Sequence, residues 1–260
     1  MQRWEDLVTT DFARLDPREA VAILPVAAIE QHGPHLPLGT DALLCDAILD
    51  EALARLDPAS PVLRLPTQRL GHSPEHARFP GTLGLRAETV LALWTDIGRS
   101  VAAAGLHKLV LFNSHGGQGA LVDLVAQALR GECGMTVARC SYYRFALPDG
   151  WFTESERRFG LHGGQLETSL LLHVARHLVR LDRARDFASR AVAWEAAHPG
   201  LPIEDETGVG WRAEDLNAEG VTGDAAAASA DLGARLLTHY AGRLAALIED
   251  LRRFPALPPS

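Results

Sequence analysis

A carboxylate, two imidazoles and a second carboxylate stand within one short stretch, Glu30-Gln31-His32-Gly33-Pro34-His35-Leu36-Pro37-Leu38-Gly39-Thr40-Asp41, directly after an apolar run. Carboxylate and imidazole are hard or borderline donors that suit zinc, manganese, iron or cobalt, and no cysteine is near enough to make a thiolate site. Glu30 and His32 lie two residues apart, so in extended chain their side chains point the same way. Asp41 returns after a Gly/Pro-punctuated loop at the start of a helical pattern. One loop can therefore supply three ligands. Taken singly, Glu30 and Asp41 fit a solvated loop with helix caps equally well.

Two further stretches carry the same residue types. The apolar run Lys108 to Phe112 is the clearest strand in the chain and leads into Asn113-Ser114-His115-Gly116-Gly117-Gln118-Gly119. A polar, glycine-rich turn between strand and helix is where an open α/β sheet places functional groups, at the carboxyl ends of its strands. His115 thus emerges on the same edge as Glu30 and His32. Alone, the motif is weak, since the glycines could serve only the turn. Ser114 is no nucleophile elbow, the G-x-S-x-G pattern being absent. Further on, His162 precedes an apolar helix that runs through Leu172 and Val174, with Glu167 in its first turns as either a dipole-compensating acid or a ligand. His173 and His177 have the i, i+4 spacing of a zinc pair, but without H-E-x-x-H they read as a partly exposed helix face.

The elements that must position these residues alternate in type. Val21 to Ile29, Val62 to Leu65, Lys108 to Phe112 and Met135 to Cys140 read as strands; Ala42 to Leu53, Ala87 to Ala104 and Ala120 to Leu129 read as the helices between them. Gly71 to Thr82 is a loop, Ser141 to Gly160 an irregular aromatic segment that fits a lid and simple surface packing equally well, and Ala193 to Asn217 polar and irregular. Ala225 to Arg253 reads as one long final helix capped by Asp224. With 260 residues, 47% of them hydrophobic, residues 1–260 are expected to form one large α/β domain. A net charge of -8 and the lack of a Lys/Arg cluster disfavour nucleic acid, leaving a small molecule as the expected ligand. Cys45, Cys133 and Cys140 form no framework, no apolar run is long enough to span a bilayer and no signal-type start is present, so a cytoplasmic protein is expected.

The order and content of these motifs resemble the creatininase family of metal-dependent amidohydrolases. The resemblance rests on Glu30-Gln31-His32-Gly33-Pro34-His35-Leu36-Pro37 with Asp41, Glu75-His76-x-x-Phe79-Pro80-Gly81-Thr82, Asn113-x-His115-Gly116-Gly117, His162-x-Gly164-x-x-Glu167-Thr168-Ser169 and Gly220-Val221-x-Gly223-Asp224. It implies a three-layer α/β/α sandwich with a mainly parallel sheet, a two-metal site, and hydrolysis of a carbon–nitrogen bond in a small-molecule amide. A homohexamer built as a trimer of dimers is the implied assembly. Glu30, His32, Asp41, His115 and Glu167 fall on the family's ligand positions, Asp41 as the bridging carboxylate, and His162 falls on that of a catalytic histidine. The ions implied are divalent, zinc first, with manganese or iron as alternatives. Creatininase proper has a glutamate two residues after the third motif's histidine, whereas this chain has Gly117. That departure argues against creatinine itself as substrate.

Metal-assisted hydrolysis is the chemistry expected, with His162 as general acid to the leaving nitrogen. Gly116 and Gly117 could turn backbone N–H groups toward an oxyanion. Glu75, His76 and Trp151 are added to these two glycines as substrate-binding candidates. Removal of a formyl group, or cleavage of a small modified peptide, would use the same machinery. A reading of another class is a non-catalytic metal sensor or assembly subunit, against which His162 weighs, since a sensor needs no general acid.

Overall fold

The computed structural model describes residues 2–255 and 257. Strands β1 (Gln2–Arg3), β2 (Val21–Val26), β3 (Val62–Arg64), β4 (Lys108–Asn113) and β5 (Thr136–Ser141) form one parallel sheet in the order β1-β3-β2-β4-β5. Parallel neighbours need crossovers, supplied by α1 (Thr40–Leu53), α2 (Ala87–Ala103) and α3 (Gly119–Cys133). Beyond the sheet come α4 (Glu154–Phe159), α5 (Gln165–Val174), α6 (Ala191–Ala197), α7 (Ala213–Leu216) and α8 (Ala230–Arg253). A small antiparallel pair, β6 (Asp186–Phe187) with β7 (Gly223–Asp224), lies between them in sequence.

The two-residue period of the strands sorts the core into two apolar layers. Val21, Ile23, Val110 and Phe112 pack with α1, α5 and α8, whereas Ala22, Leu24, Leu109 and Leu111 pack with α2 and α3. Burial on both faces is why β2 and β4 read as unbroken apolar runs. The chain leaves β2 toward β3 on one side and leaves β4 toward β5 on the other. This change of direction opens a crevice at the carboxyl ends of β2 and β4, the position at which open α/β sheets bind ligands.

Three expectations about the outer segments need correction. Residues 141–160 contain a 3-10 turn at Tyr142–Arg144 and the helix α4, whose cap Thr153 accepts a hydrogen bond from the Glu156 N–H at 3.1 Å. At six residues α4 is too short for periodicity to register. Likewise α6 and α7 occupy part of the stretch 193–217 read as irregular. The final helix is interrupted: Asp224 caps only the turn Ala225–Ala227, and Ser229 then caps α8, accepting from the Leu232 N–H at 3.2 Å. A run of alanines favours helix without marking where one starts. His173 and His177 are both exposed, and because α5 stops at Val174 they do not share a helix.

Candidate metal centre

Backbone contacts bring four separate segments to the crevice. The loop after β2 folds back, the Glu30 N–H donating to the Leu38 carbonyl at 3.0 Å. The Phe79-Pro80-Gly81-Thr82 turn straps it from outside: the Gln31 N–H donates to Thr82 Oγ1 at 3.1 Å and the Leu83 N–H to the Ile29 carbonyl at 2.9 Å. Gly33 and Gly163 both adopt φ +66° and both abut the buried Val221, so that a Cβ at either would lie within 2.7 Å of a Val221 methyl. Glycine is required there on conformational and steric grounds together. The motif Gly220-Val221 is thus the wedge on which the first and fourth motifs meet.

Within this frame Asp41 stands in the first turn of α1 with its oxygens divided between two histidines. Its Oδ1 is 3.3 Å from His32 Nε2 and its Oδ2 is 3.3 Å from His115 Nδ1. His115 Nδ1 is also 3.2 Å from Glu30 Oε1, and His32 Nε2 is 3.9 Å from Glu167 Oε1. Two triads therefore share Asp41, namely Glu30-Asp41-His115 and His32-Asp41-Glu167, each with donor atoms within 4.8 Å of one another.

The second nitrogen of each ring decides what the first can do. His32 Nδ1 lies 3.1 Å from the Glu30 carbonyl, and His115 Nε2 lies 3.1 Å from the His72 carbonyl. A carbonyl only accepts, so these nitrogens carry the hydrogens, and a neutral ring aims its lone pair at two carboxylates. That arrangement is repulsive unless a cation intervenes. Burial opposes a proton on His32, yet Asp41 and Glu167 outweigh it and push the ring's pKa up to about 9. Burial likewise opposes a charge on His115, but Glu30 and Asp41 raise its pKa well above the usual value. Burial would raise the Asp41 carboxyl, but His32 and His115 hold it far below the ordinary carboxylate range. Four buried atoms here, Glu30 Oε1 and Oε2, His32 Nε2 and Asp41 Oδ2, make no hydrogen bond. Unsatisfied buried donors and acceptors are rare, and these all converge on one place. Their number and chemistry fit divalent cations.

Other side chains fix the surroundings. His162 Nε2 donates to the Gln31 carbonyl at 2.7 Å, leaving Nδ1 to face Glu30 Oε1 at 3.7 Å. Burial and the neighbouring His32 lower the pKa of His162. Its ring lies against those of His32 and His76, each 4.2 Å away. The Gln31 amide donates to His76 Nδ1 at 2.8 Å and to the Gly220 carbonyl at 2.6 Å, so His76 carries its hydrogen on Nε2, which lies 3.4 Å from Glu30 Oε1 without bonding it. Burial and His162 push the pKa of His76 down. Glu75 Oε1 is 3.2 Å from His115 Nε2, and although burial acts to raise its carboxyl, His115 lowers it on balance. Glu167 Oε2 accepts the Gly163 N–H at 2.6 Å. His35, by contrast, belongs to neither triad, and its Nε2 lies 3.0 Å from both the Gly163 carbonyl and Thr168 Oγ1.

A cavity of about 690 Å³ lies over the centre. Glu30, Asp41, Glu75, His76, His115, Gly116, Gly117, His162 and Glu167 all line it, together with Tyr143, Arg144, Phe145, Phe152 and Trp211. Trp151 is not among its lining residues; it packs under the Arg235 guanidinium at 4.3 Å and against His239. Sequence reasoning passed over Gln31, Glu156 and Trp211. Gln31 stood inside the first motif and could have been read from it. Glu156 accepts from the Gln165 and Asp224 N–H groups, each at 2.7 Å, and so holds the start of α5, but nothing local marks it.

A family profile described as creatinine amidohydrolase matches residues 5–248. The chain belongs to the creatininase family. It is 32% identical over 242 residues to the mycofactocin precursor peptide peptidase of Mycobacterium tuberculosis, covering 89% of this chain and 82% of the relative. The creatinine amidohydrolase of Pseudomonas putida is 32% identical over 197 residues, 67% of this chain and 72% of that protein. A crystal structure of creatininase superposes with a TM-score of 0.77 at 27% identity, covering 97% and 98% of the two chains. Solved creatininases include a manganese form and a zinc form of a glutamate-to-glutamine variant. Creatininase-family members are hydrolases acting on carbon–nitrogen bonds, and this chain is one of them. Among the described residues no helix is long and apolar enough to cross a membrane.

Proposed function

We propose that this member of the family is a metal-dependent amidohydrolase. Glu30, Asp41 and His115 would hold one divalent cation and His32, Asp41 and Glu167 a second, zinc first among manganese and iron. The observation that carries this reading is the pair of histidine lone pairs, each fixed by a backbone carbonyl and aimed at carboxylates that share Asp41. Bound cations of this kind lower the pKa of water from about 15.7 toward roughly 7 and polarise a substrate carbonyl.

The chain's own contribution to proton movement is His162. Neutral at pH 7, with Nε2–H tied to the Gln31 carbonyl, it has only Nδ1 free to accept a proton and pass it on. An amide nitrogen leaves poorly unless protonated, so the same Nδ1 serves as general acid. Glu30 beside it supports the charged form in transit. Phe152 and Trp211 along the cavity help keep bulk water from the reacting atoms.

The substrate is a small molecule with an amide or cyclic amide bond. A short modified peptide is a second reading, favoured by the cavity: about 690 Å³ with aromatic walls has room for more than one small ring. The test is turnover by metal-loaded protein, with and without chelator, of creatinine, other cyclic amides, formamides and short peptides. Chelator-sensitive turnover of any class supports the proposal and names the substrate. A protein that holds its ions yet turns over none of them supports the sensor reading. A hexameric assembly follows from the resemblance and is checked by light scattering. We place the enzyme in the cytoplasm, with its three free cysteines in reduced form.

A further inference from the structure

Gly117 is glycine for lack of space rather than for its backbone angles. Its φ lies outside the left-handed region, so the main chain there would accept any residue. A Cβ, however, would fall 1.8 Å from Glu75 Oε1 and 2.8 Å from His115 Nε2. The volume a side chain at 117 would fill is occupied by the Glu75 carboxylate, brought in by the 3-10 turn Pro74–His76 that also delivers His76. Glu75 is mostly buried, at 12% side-chain exposure, and its Oε1 lies 3.2 Å from His115 Nε2. The same nitrogen has the His72 carbonyl at 3.1 Å and Ser73 Oγ at 3.3 Å. Of these three neighbours the His72 carbonyl and Ser73 Oγ are the hydrogen-bond partners, and only Glu75 brings a charge to that side of the ring, where it favours the hydrogen on Nε2.

We propose that Glu75 is a positioning residue of the metal centre, whose carboxylate, 3.2 Å from the Nε2–H that His115 gives the His72 carbonyl, helps hold Nδ1 toward Glu30 and Asp41, in a space that exists because residue 117 is glycine. The inference rests on the metal-centre reading above. A carboxylate on the far nitrogen of a ligand imidazole fixes its tautomer and strengthens it as a donor, and losing such a partner typically weakens metal binding about 10- to 100-fold. It also couples positions 75 and 117: Glu75 can sit here only in a chain that lacks a side chain at 117.

The test is zinc titration of the metal-free, full-length protein against a competing chromophoric chelator, with melting temperatures measured alongside. Glu75→Ala is expected to weaken one of the two ions about 10- to 100-fold and leave the other unchanged. Glu75→Gln, which keeps the shape and an acceptor oxygen, should fall between it and the wild type and keeps the test valid should the alanine variant fold poorly. Gly117→Ala should weaken the same ion by displacing Glu75. The double variant should then lose less than the product of the two single losses, because both changes remove the Glu75–His115 contact, while the Cβ at 117 also crowds His115 Nε2. Intact affinity for both ions in Glu75→Ala overturns the proposal. So does equal weakening of both ions with a lowered Tm, which marks a general loop role, and so does a double variant whose loss is the product of the single losses. Wild-type protein that takes up no stoichiometric zinc would instead overturn the metal centre itself, an outcome visible before any variant is made.

Discussion

Raising the pH of the metal-free protein should destabilise it, because the buried centre then loses the protons that stand in for cations. His32 has its pKa pushed from 6.5 to about 9 in the folded chain. A group raised on folding contributes stability that is complete below the unfolded value and lost as pH climbs through the folded one. At about 1.4 kcal/mol per pH unit, that displacement is worth about 3 kcal/mol. His115 acts in the same direction, and the depressed Asp41 is the other side of the same attractions, so it is not counted again. For a chain of this size each kcal/mol moves Tm by roughly 2–4 °C, so a fall of about 6–12 °C is expected between pH 6.5 and 9. Below 6.5 the sign reverses. His35, lowered to about 4 chiefly by burial, and His162 and His76, also lowered, stay neutral while the unfolded chain takes up protons. Maximum stability of the metal-free form therefore lies near pH 6.5. Thermal melts followed by circular dichroism after chelation measure this directly. Added zinc should remove the decline above 6.5, its affinity rising about tenfold per pH unit for each proton it displaces. A metal-free Tm that is flat or rising from 6.5 to 9 refutes the reasoning, as does a His32→Asn variant that keeps the full slope.

Elemental analysis should show close to two divalent ions per chain in the wild type; Asp41→Ala should lose both and Glu167→Gln chiefly one, since Asp41 places one oxygen 3.3 Å from His32 and the other 3.3 Å from His115. Wild-type metal content in Asp41→Ala would remove it as a bridge. His162→Ala should keep its metal and melting temperature while kcat falls about 10²- to 10⁴-fold, the usual contribution of a positioned acid or base. Metal loss would place its Nδ1 among the ligands, a position its grouping with Glu30 and His32 also permits. Gly163→Ala should cost about 2 kcal/mol or more in denaturant unfolding, combining a left-handed backbone with overlap on Val221. A midpoint equal to wild type would show that the wedge is soft.

Much of this was legible in the sequence because it depends on local pattern or on rare residue types. β2 and β4 are buried on both faces and therefore read as unbroken apolar runs. Glu30, His32, Asp41, His115 and Glu167 converge because each follows a strand end or opens a helix, and those junctions share one edge. What escaped is long-range and geometric. No pattern says that Glu156 would hold the start of α5, that Trp211 would line the cavity, or that Trp151 would turn to Arg235 instead. The lone-pair directions of His32 and His115 depend on backbone carbonyls, which a sequence does not show. The break before α8 escaped for the opposite reason: strong helix propensity hid a weak cap signal at Ser229.

The floor of the cavity and its walls are held by different parts of the chain. The candidate ligands stand just after β2 and β4 and in the first turns of α1 and α5, anchored through the apolar layers of the sandwich. Arg144, Phe145, Phe152 and Trp211 come from connecting segments outside the sheet and are partly or fully exposed. The upper cavity can therefore be reworked from connecting segments outside the sheet, while the candidate ligands keep their register at its strand ends. A floor set on the sheet beneath walls set on loops is one physical way for a single fold to serve proteins as unlike as an amidohydrolase and a peptidase.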